Sequence, residues 1–425
     1  MVRNPPGTQT TDSTANRMVH ELASLEFDAP QAEARVEIGR PGRELCVYSG
    51  KLGYDLQDEL DFLSNRALEP NVFFTGRFLA PAMPRLDDRE VNFALLRDQN
   101  ETRSRLRVLM PFSVEKPGFA VGPSIIRVWA NSFAPLGTPL LDGEDAAETL
   151  DNFLEGLTAR DLRMPGILVL PDLRLNGIFA RMIRAVAIGR NLPITTTNPY
   201  LRPMLQSDED AVAYLRQSVS SSHMREMRRQ WRLLEEKGTV VYNVARQPRD
   251  IHMRFEEFLA LEAGGWKGKK RSALVTDRLH MAFAREAISN LAAVDAVRIH
   301  SIDFNGKSIA STVVLMMGGE AYTWKTAYDE AYARYSPGKL LMGELTEWHL
   351  DDANIVRSDS CAVPDHPIMS RFWQEREEMG TVVIGLNQNA DRDVRQVATQ
   401  LHLYSSTRNV AKMLRQKIMS LAGRG

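Results

Sequence analysis

Cysteine is nearly absent: the 425 residues contain only Cys46 and Cys361, and neither has a second Cys or a His beside it at metal-ligand spacing. This excludes a disulfide framework and a compact zinc site, and it implies reduced thiols and a cytoplasmic protein. Long apolar runs are missing as well. No window approaches the roughly 20 apolar residues of a membrane span, and the N-terminus lacks the apolar core of a secretory signal. Nor is one charge in excess: 53 Lys and Arg offset 54 Asp and Glu for a net charge of −1. That argues against a general polyanion-binding surface, so no specific nucleic-acid partner is expected. The chain also has no glycine-rich Lys-Ser/Thr phosphate loop, dinucleotide fingerprint, His-Glu-x-x-His helix or Gly-x-Ser-x-Gly elbow. Kinases, NAD enzymes, zinc proteases and serine hydrolases lose support accordingly.

The chain is about two to three times the length of a usual domain, which predicts two units. Residues 1–30, polar and breaker-rich from Asn4 to Thr14, cannot bury enough surface to offset ordering entropy and read as a disordered leader. From Arg43 to about Thr197 helical periods alternate with short strands: Leu56–Leu68 and Ala146–Leu157 read as helices, Val91–Leu96 and Leu106–Phe112 as strands. Gly166–Leu170 followed by Arg174–Gly189 reads as a βα unit, and the breakers at Asn191-Leu192-Pro193 and Asn198-Pro199 read as a crossover near residue 205. The second unit, 206–388, opens with Asp208–Gln217 and a basic helix, Met224–Lys237. A strand, Thr239–Ala245, and two helices, Arg249–Ala263 and Thr276–Leu291, follow. Three strand candidates come next, Val297–Phe304, Ser308–Met317 and Ala321–Ala327, turned by Asn305-Gly306 and Gly318-Gly319. Residues 389–425 form a basic helical tail, weakly amphipathic through Val410, Met413, Leu414 and Ile418. It packs on the body, or else touches a partner or a membrane surface.

After the meander comes Ser336-Pro337-Gly338-Lys339, with Ser at the N-cap and Pro at the first helical position of a helix running to about Leu350. A helix start presents unpartnered N–H groups and a partial positive charge, which suit phosphate. Gly338 removes the side chain that would hold a pyrophosphate off, and Lys339 supplies a cation. The same residues also serve simply to start a helix.

An antiparallel meander feeding a helix through a glycine-containing loop resembles the GNAT acetyltransferase fold, whose loop holds the pyrophosphate of coenzyme A. The resemblance rests on Leu261-Glu262-Ala263-Gly264-Gly265-Trp266-Lys267-Gly268, on Ala327-Tyr328-Asp329 with Arg334-Tyr335-Ser336-Pro337-Gly338, and on Val363-Pro364-Asp365-His366-Pro367 with Trp373. It extends to Glu69–Phe74 and Phe133–Leu140, covering about residues 45 to 385. Of the GNAT phosphate loop, only Arg334, Gly338 and the helix start correspond. The branch resembled is the cellulose-biosynthesis-associated acetyltransferases, similar to the FemAB peptidyltransferases with two GNAT-like units in one chain. It implies an α/β fold of two tandem GNAT-like units with mixed, mostly antiparallel sheets. It also implies acyl-CoA as donor, no metal, and an amine or hydroxyl acceptor, small molecule or saccharide, in polysaccharide or cell-envelope biosynthesis.

Acyl transfer needs a base for the acceptor, donors for the carbonyl oxygen and a proton for the leaving thiolate. Glu262, at a helix end against the glycine-rich turn, is a base candidate or a solvated glutamate. His366 is a second, or a turn histidine. Tyr328 and Tyr335 bracket the loop and are acid candidates or aromatic plugs. Trp266 and Trp324 wall an acceptor channel or fill the core. Lys267, Lys325 and Asp329 are substrate-binding candidates. Arg228 and Arg229, on the polar face beside the stripe Met224, Met227, Trp231 and Leu234, are candidates for the adenosine phosphate. Two rival functions stay open: an aminoacyl-tRNA-dependent ligase of FemAB type, and a non-catalytic binding module on the same fold.

Overall fold

The computed structural model describes residues 30–422 apart from 88, 101–103 and 365, with side chains as far as Thr407. The expected leader, Asp365 and the apolar positions Val410 to Ile418 of the tail fall outside the described residues or side chains. The first half runs β1 (Ala34–Glu37), β2 (Arg43–Ser49), α1 (Gln57–Ser64), α2 (Gly76–Ala82), β3 (Val91–Gln99), β4 (Ser104–Glu115), β5 (Ile125–Val128), β6 (Leu140–Leu141), α3 (Ala146–Gly156), β7 (Ile167–Arg174), α4 (Ile178–Gly189) and β8 (Ile194–Leu205). The second runs α5 (Ala211–Ser218), α6 (Ser221–Glu235), β9 (Val240–Ala245), α7 (Pro248–Gly264), α8 (Trp266–Lys269), α9 (Arg278–Ala292), β10 (Val297–Phe304), β11 (Lys307–Met317), β12 (Glu320–Tyr328), α10 (Pro337–Asp351), β13 (Arg357–Asp359), α11 (Met369–Phe372), β14 (Glu375–Gly385) and α12 (Asp391–Ala422).

One topology occurs twice. Strands β3, β4 and β5 pair antiparallel, α3 follows, and β7 returns parallel to β5. Strands β10, β11 and β12 pair antiparallel, α10 follows, and β13 returns parallel to β12. In each half a helix makes the crossover that a parallel pair requires. The final strands are then exchanged: β8 lies against β13 of the second half, β14 lies against β7 of the first, and the two pair with each other. Among the described residues one continuous sheet of 14 strands results, in the α/β, mostly antiparallel, two-unit architecture expected.

The exchange shows where sequence periodicity misleads. Residues 191–199, read as a breaker-rich crossover, contain the start of the long strand β8. The register against β14 slips between Met379↔Tyr200 and Thr381↔Thr197, so Asn198, with φ +51°, and Pro199 sit in a bulge opposite Gly380. A bulge tolerates the missing proline N–H, which a regular ladder does not. Likewise β7 continues through Arg174, and α4 begins only at Ile178. Strand β14 went unread because its first residues, Glu375, Arg376, Glu377 and Glu378, are charged.

The main apolar cluster draws on both halves, from Leu45 and Phe93 to Phe258 and Val313. Phe78 stands edge-on to Phe283, with ring centroids 5.2 Å apart. Charges are buried across the same boundary. Arg174 on β7 makes a two-pronged pair with Glu320 on β12, at 3.1 and 2.7 Å, and lies 3.5 Å from Asp359. Arg202 on β8 reaches Asp359 at 3.2 Å and donates to the Pro135 carbonyl at 2.8 Å. Burial alone would raise the Asp359 carboxyl; the Arg202 and Arg174 guanidiniums hold it below the usual carboxylate range. A second buried polar group lies between α10 and the sheet. His300 Nδ1 and the Tyr242 hydroxyl are 2.7 Å apart, as are His349 Nδ1 and the Ser358 hydroxyl. Burial pushes His349 down to about 3 and His300 well below the usual imidazole range.

Two outcomes are expected. Arg174→Met removes the cation shared by two buried carboxylates and leaves, among the described residues, Glu320 only the cation of Arg357 and Asp359 only that of Arg202, so urea titration should show a loss of about 3 kcal/mol; a loss under about 1 kcal/mol would give the network no more weight than a surface pair. Both histidines fold neutral but bind protons in the unfolded chain below about pH 6.5. Their folded-state pKa values are depressed, so this stability is present above about pH 6.5 and lost as pH falls toward 3, by up to about 1.4 kcal/mol per pH unit per histidine. His349→Gln should flatten the slope between pH 6 and 5; an unchanged slope there would contradict the assignment.

Candidate active site

Strands β12 and β13 pair only over Glu320, Ala321 and Tyr322 against Arg357, Ser358 and Asp359. Beyond that point β12 runs on to Tyr328 while the other chain turns away through Ser360 and Cys361. The fork between them holds a cavity of about 480 Å³. One wall is β12 from Thr323 to Tyr328, and the other is Ser360 to Val363 with His366 to Met369. The end of α7 with α8, the start of α10, and Ser132 from the first half complete it. The Thr323 hydroxyl, donating to the Asp359 carbonyl at 3.1 Å, closes the base. Along the fork β12 has β11 on one side only, so its other edge offers peptide groups to an extended ligand.

The equivalent fork of the first half, between β5 and β7, is filled by its own chain. Leu136, Thr138 and Leu140 there are fully buried, and the Asn71 amide ties down the Leu136 and Thr138 carbonyls at 3.1 and 2.9 Å. Gly137 packs so closely on β7 that a Cβ would lie 2.0 Å from the Pro171 carbonyl oxygen. The tip of this plug reaches the second fork. The β11–β12 register slips so that Lys325 faces Val313 and Thr323 faces Val314, leaving Trp324 as a bulge. Neighbours on a regular strand point to opposite faces, but a bulge re-aims them. Here Trp324 Nε1 donates to the Phe133 carbonyl at 2.8 Å, and Lys325 Nζ approaches the Ser132 carbonyl at 3.5 Å.

Of the residues singled out by sequence, the cavity gathers Glu262, Trp266, Lys267, Trp324, Lys325, Tyr328, Gly338 and His366. Their environments revise several roles. Glu262 is 3 % exposed, not a solvated helix end, and both its oxygens are engaged: Oε1 by Lys267 Nζ at 2.9 Å and Oε2 by the Leu274 N–H at 2.8 Å. The Lys267 ammonium also donates to the Thr326 carbonyl at 2.9 Å. This is a latch fastening the α7–α8 turn to β12, and it commits both carboxylate oxygens to structural partners. His366 accepts the Met369 N–H on Nδ1 at 3.3 Å, which assigns the neutral ring's proton to Nε2. Burial lowers its pKa, so the ring is neutral near pH 7 and presents a donor, not a base. Tyr328 lines the cavity, and its hydroxyl has no protein partner among the described residues. Lys325 is pushed down to about 8 by burial and by the Lys267 ammonium.

The other candidates lie outside the wall. Tyr335 is buried with Leu234, Leu340 and Leu341 in a separate cluster, beneath the Arg334 guanidinium 4.6 Å from its ring; it is an aromatic plug. Asp329 caps the turn by accepting the Ala331 N–H at 2.9 Å. Ser336 sits at the N-cap position of α10, but with φ +52° and without a side-chain cap bond; its carbonyl instead accepts the Lys339 and Leu340 N–H groups at 2.8 and 3.2 Å. Pro337 is buried at the first turn. Lys339 lies near Glu226 on α6, whose carboxylate pairs with Arg229 at 2.8 Å; Arg228 is exposed beside it. Gly338 N–H has no protein acceptor among the described residues, and a Cβ there would meet only the Tyr328 ring, at 3.7 Å.

Sequence reading missed Thr323, Ser360 and Cys361. Cys361 has φ +50°, its N–H bonded to Asp359 Oδ1 at 2.7 Å. A strand of three residues, β13, carries no periodicity to announce Ser360 and Cys361, and Thr323, on a strand that was read, has only a hydroxyl to mark it. Among the described residues no group of His, Cys, Asp or Glu is arranged to hold a metal ion, and no helix is long and apolar enough to cross a membrane.

Comparison with known proteins agrees with this geometry. No curated protein sequence matches the chain. The fold is similar to FemX, at 7% identity with a TM-score of 0.52, covering 80% of this chain and 98% of that one. It is also similar to the C-terminal domain of a putative lysylphosphatidylglycerol synthetase from Agrobacterium fabrum, at 11% identity with a TM-score of 0.50, covering 82% of this chain and 96% of that one. At such identities the likeness is one of fold. Residues 221–355, which contain β12, the end of α7 with α8 and the start of α10, match the acetyltransferase (GNAT) domain family.

Proposed function

We propose that the protein is an acyltransferase that moves an acetyl or longer acyl group from coenzyme A, in the fork between β12 and β13, to the amine or hydroxyl of an acceptor. Residues 206–388 hold the donor, and residues 31–205 shape the acceptor side through Ser132 and Phe133. The observation that carries this reading is the open fork edge ending at Gly338. The unpaired edge of β12 suits the amides of an extended pantetheine arm, and the free Gly338 N–H at the positive end of α10 suits its pyrophosphate. Nothing inside the protein requires glycine at 338, since the space beside its Cα opens on the cavity. Tyr328, against that helix start, is placed to return a proton to the leaving thiolate. The resemblance to the cellulose-biosynthesis-associated branch makes a saccharide in polysaccharide or cell-envelope synthesis the first acceptor to try.

Calorimetry of acetyl-CoA should give one site per chain, because the first fork is plugged; a stoichiometry near two would contradict the reading. Gly338→Val introduces only an ordinary contact with Tyr328, so it should fold with a near-native unfolding midpoint and bind acetyl-CoA at least tenfold more weakly. Undiminished affinity in the folded variant would remove the donor site. Glu262→Gln keeps an acceptor for Leu274 but strands Lys267, so the latch predicts a stability loss of about 1–3 kcal/mol. Unchanged stability with abolished turnover would return Glu262 to the role of general base.

A further inference from the structure

We infer that the acceptor is itself an acid, carrying beside its amine or hydroxyl a carboxylate or phosphate that pairs with the Lys325 ammonium; this rests on the acyl-transfer reading above. The two lysines of the fork differ in one respect. Lys267 has Glu262 as its counter-ion at 2.9 Å. Lys325 has no carboxylate within ion-pair distance among the described residues. Its neighbours are the Ser132 carbonyl at 3.5 Å, the Phe133 ring at 4.5 Å and the Trp324 ring at 5.6 Å. The Cys361 thiol supplies no charge, since burial raises its pKa well above the ordinary value. The ammonium is half-buried against aromatic faces, with one long contact to a carbonyl and no counter-ion in reach among the described residues; burial and Lys267 lower its proton affinity, and the more distant Glu262 raises it.

Placement assigns the missing anion to the acceptor. Gly338 lies against Tyr328, three residues farther along β12 than Lys325, a separation of roughly 10 Å at strand rise. Donor phosphates held at the start of α10 are therefore well removed from Lys325. The bulge at Trp324 turns Lys325 toward the first-half plug, the wall on the acceptor side. At the mouth of the cavity, Lys270 stands 5.0 Å from the ring of Trp266, and its charge favours the approach of an anion.

The test is NMR of full-length protein whose lysines carry ¹³C-methyl groups by reductive methylation, with Lys325 identified by the loss of its signal in Lys325→Met and, independently, Lys325→Gln. Inorganic phosphate and acetate are the probes, each added with saturating coenzyme A. The Lys325 signal is expected to titrate near 8 in the free protein, to stay within a few tenths of that value when coenzyme A binds, and to rise by about one unit with millimolar phosphate or acetate. Which anion acts at the lower concentration distinguishes a phosphorylated from a carboxylic acceptor. No displacement by either anion would overturn the inference, as would a full displacement by coenzyme A alone, which would make Lys325 a donor-phosphate ligand. Absence of coenzyme A binding, with the anion response intact, would instead sink the acyl-transfer reading and leave the anion site standing.

Discussion

The structure depends on a buried ionic seam between its two halves. Arg174 and Arg202 come from β7 and the exchanged strand β8, Glu320 and Asp359 from β12 and β13, all close to the exchanged pair in the sheet. Removing any one of the four leaves a partner charge less fully compensated in a buried site, which costs more than the pair itself contributes. The seam therefore fixes the register of the halves more than it adds stability. It also reaches the cavity directly, because Asp359 Oδ1 accepts the Cys361 N–H, so arginines of the first half hold the far wall of the fork.

Duplication of topology did not duplicate the site. The first-half fork is packed with Leu136, Gly137 and Thr138, and its plug extends far enough for Phe133 to meet Trp324. One half has filled its own cleft with the segment that walls the other's. The open fork keeps what the first has lost: an unpaired strand edge, a helix start whose glycine faces empty space, and a bulge that directs two neighbouring side chains to one wall.

Much of this was legible in the sequence where a local pattern existed. The Asn305-Gly306 turn, the meander it organises and the helix opening at Pro337 are set by backbone chemistry within a few residues, and eight of the residues singled out meet in one cavity. What escaped depends on distant partners. Nothing near Glu262 announces that Leu274 and Lys267 occupy both its oxygens. Tyr335 and Tyr328 look equivalent in sequence, yet only Tyr328 lines the cavity, while Tyr335 is buried in the cluster behind it. Strand β8 was hidden because its breakers sit in a bulge that only β14 makes tolerable.

The central claim is that the second fork, and only that fork, holds an acyl-CoA. Backbone hydrogen exchange measured with and without acetyl-CoA tests it most directly, because the ligand should bond to peptide groups that now lack partners. The account predicts slowed exchange in Thr323–Tyr328 and at Gly338, with residues 125–141 unchanged except near Ser132 and Phe133. Slowing centred on the first fork, or no response to acetyl-CoA with a clear one to charged tRNA, would contradict it.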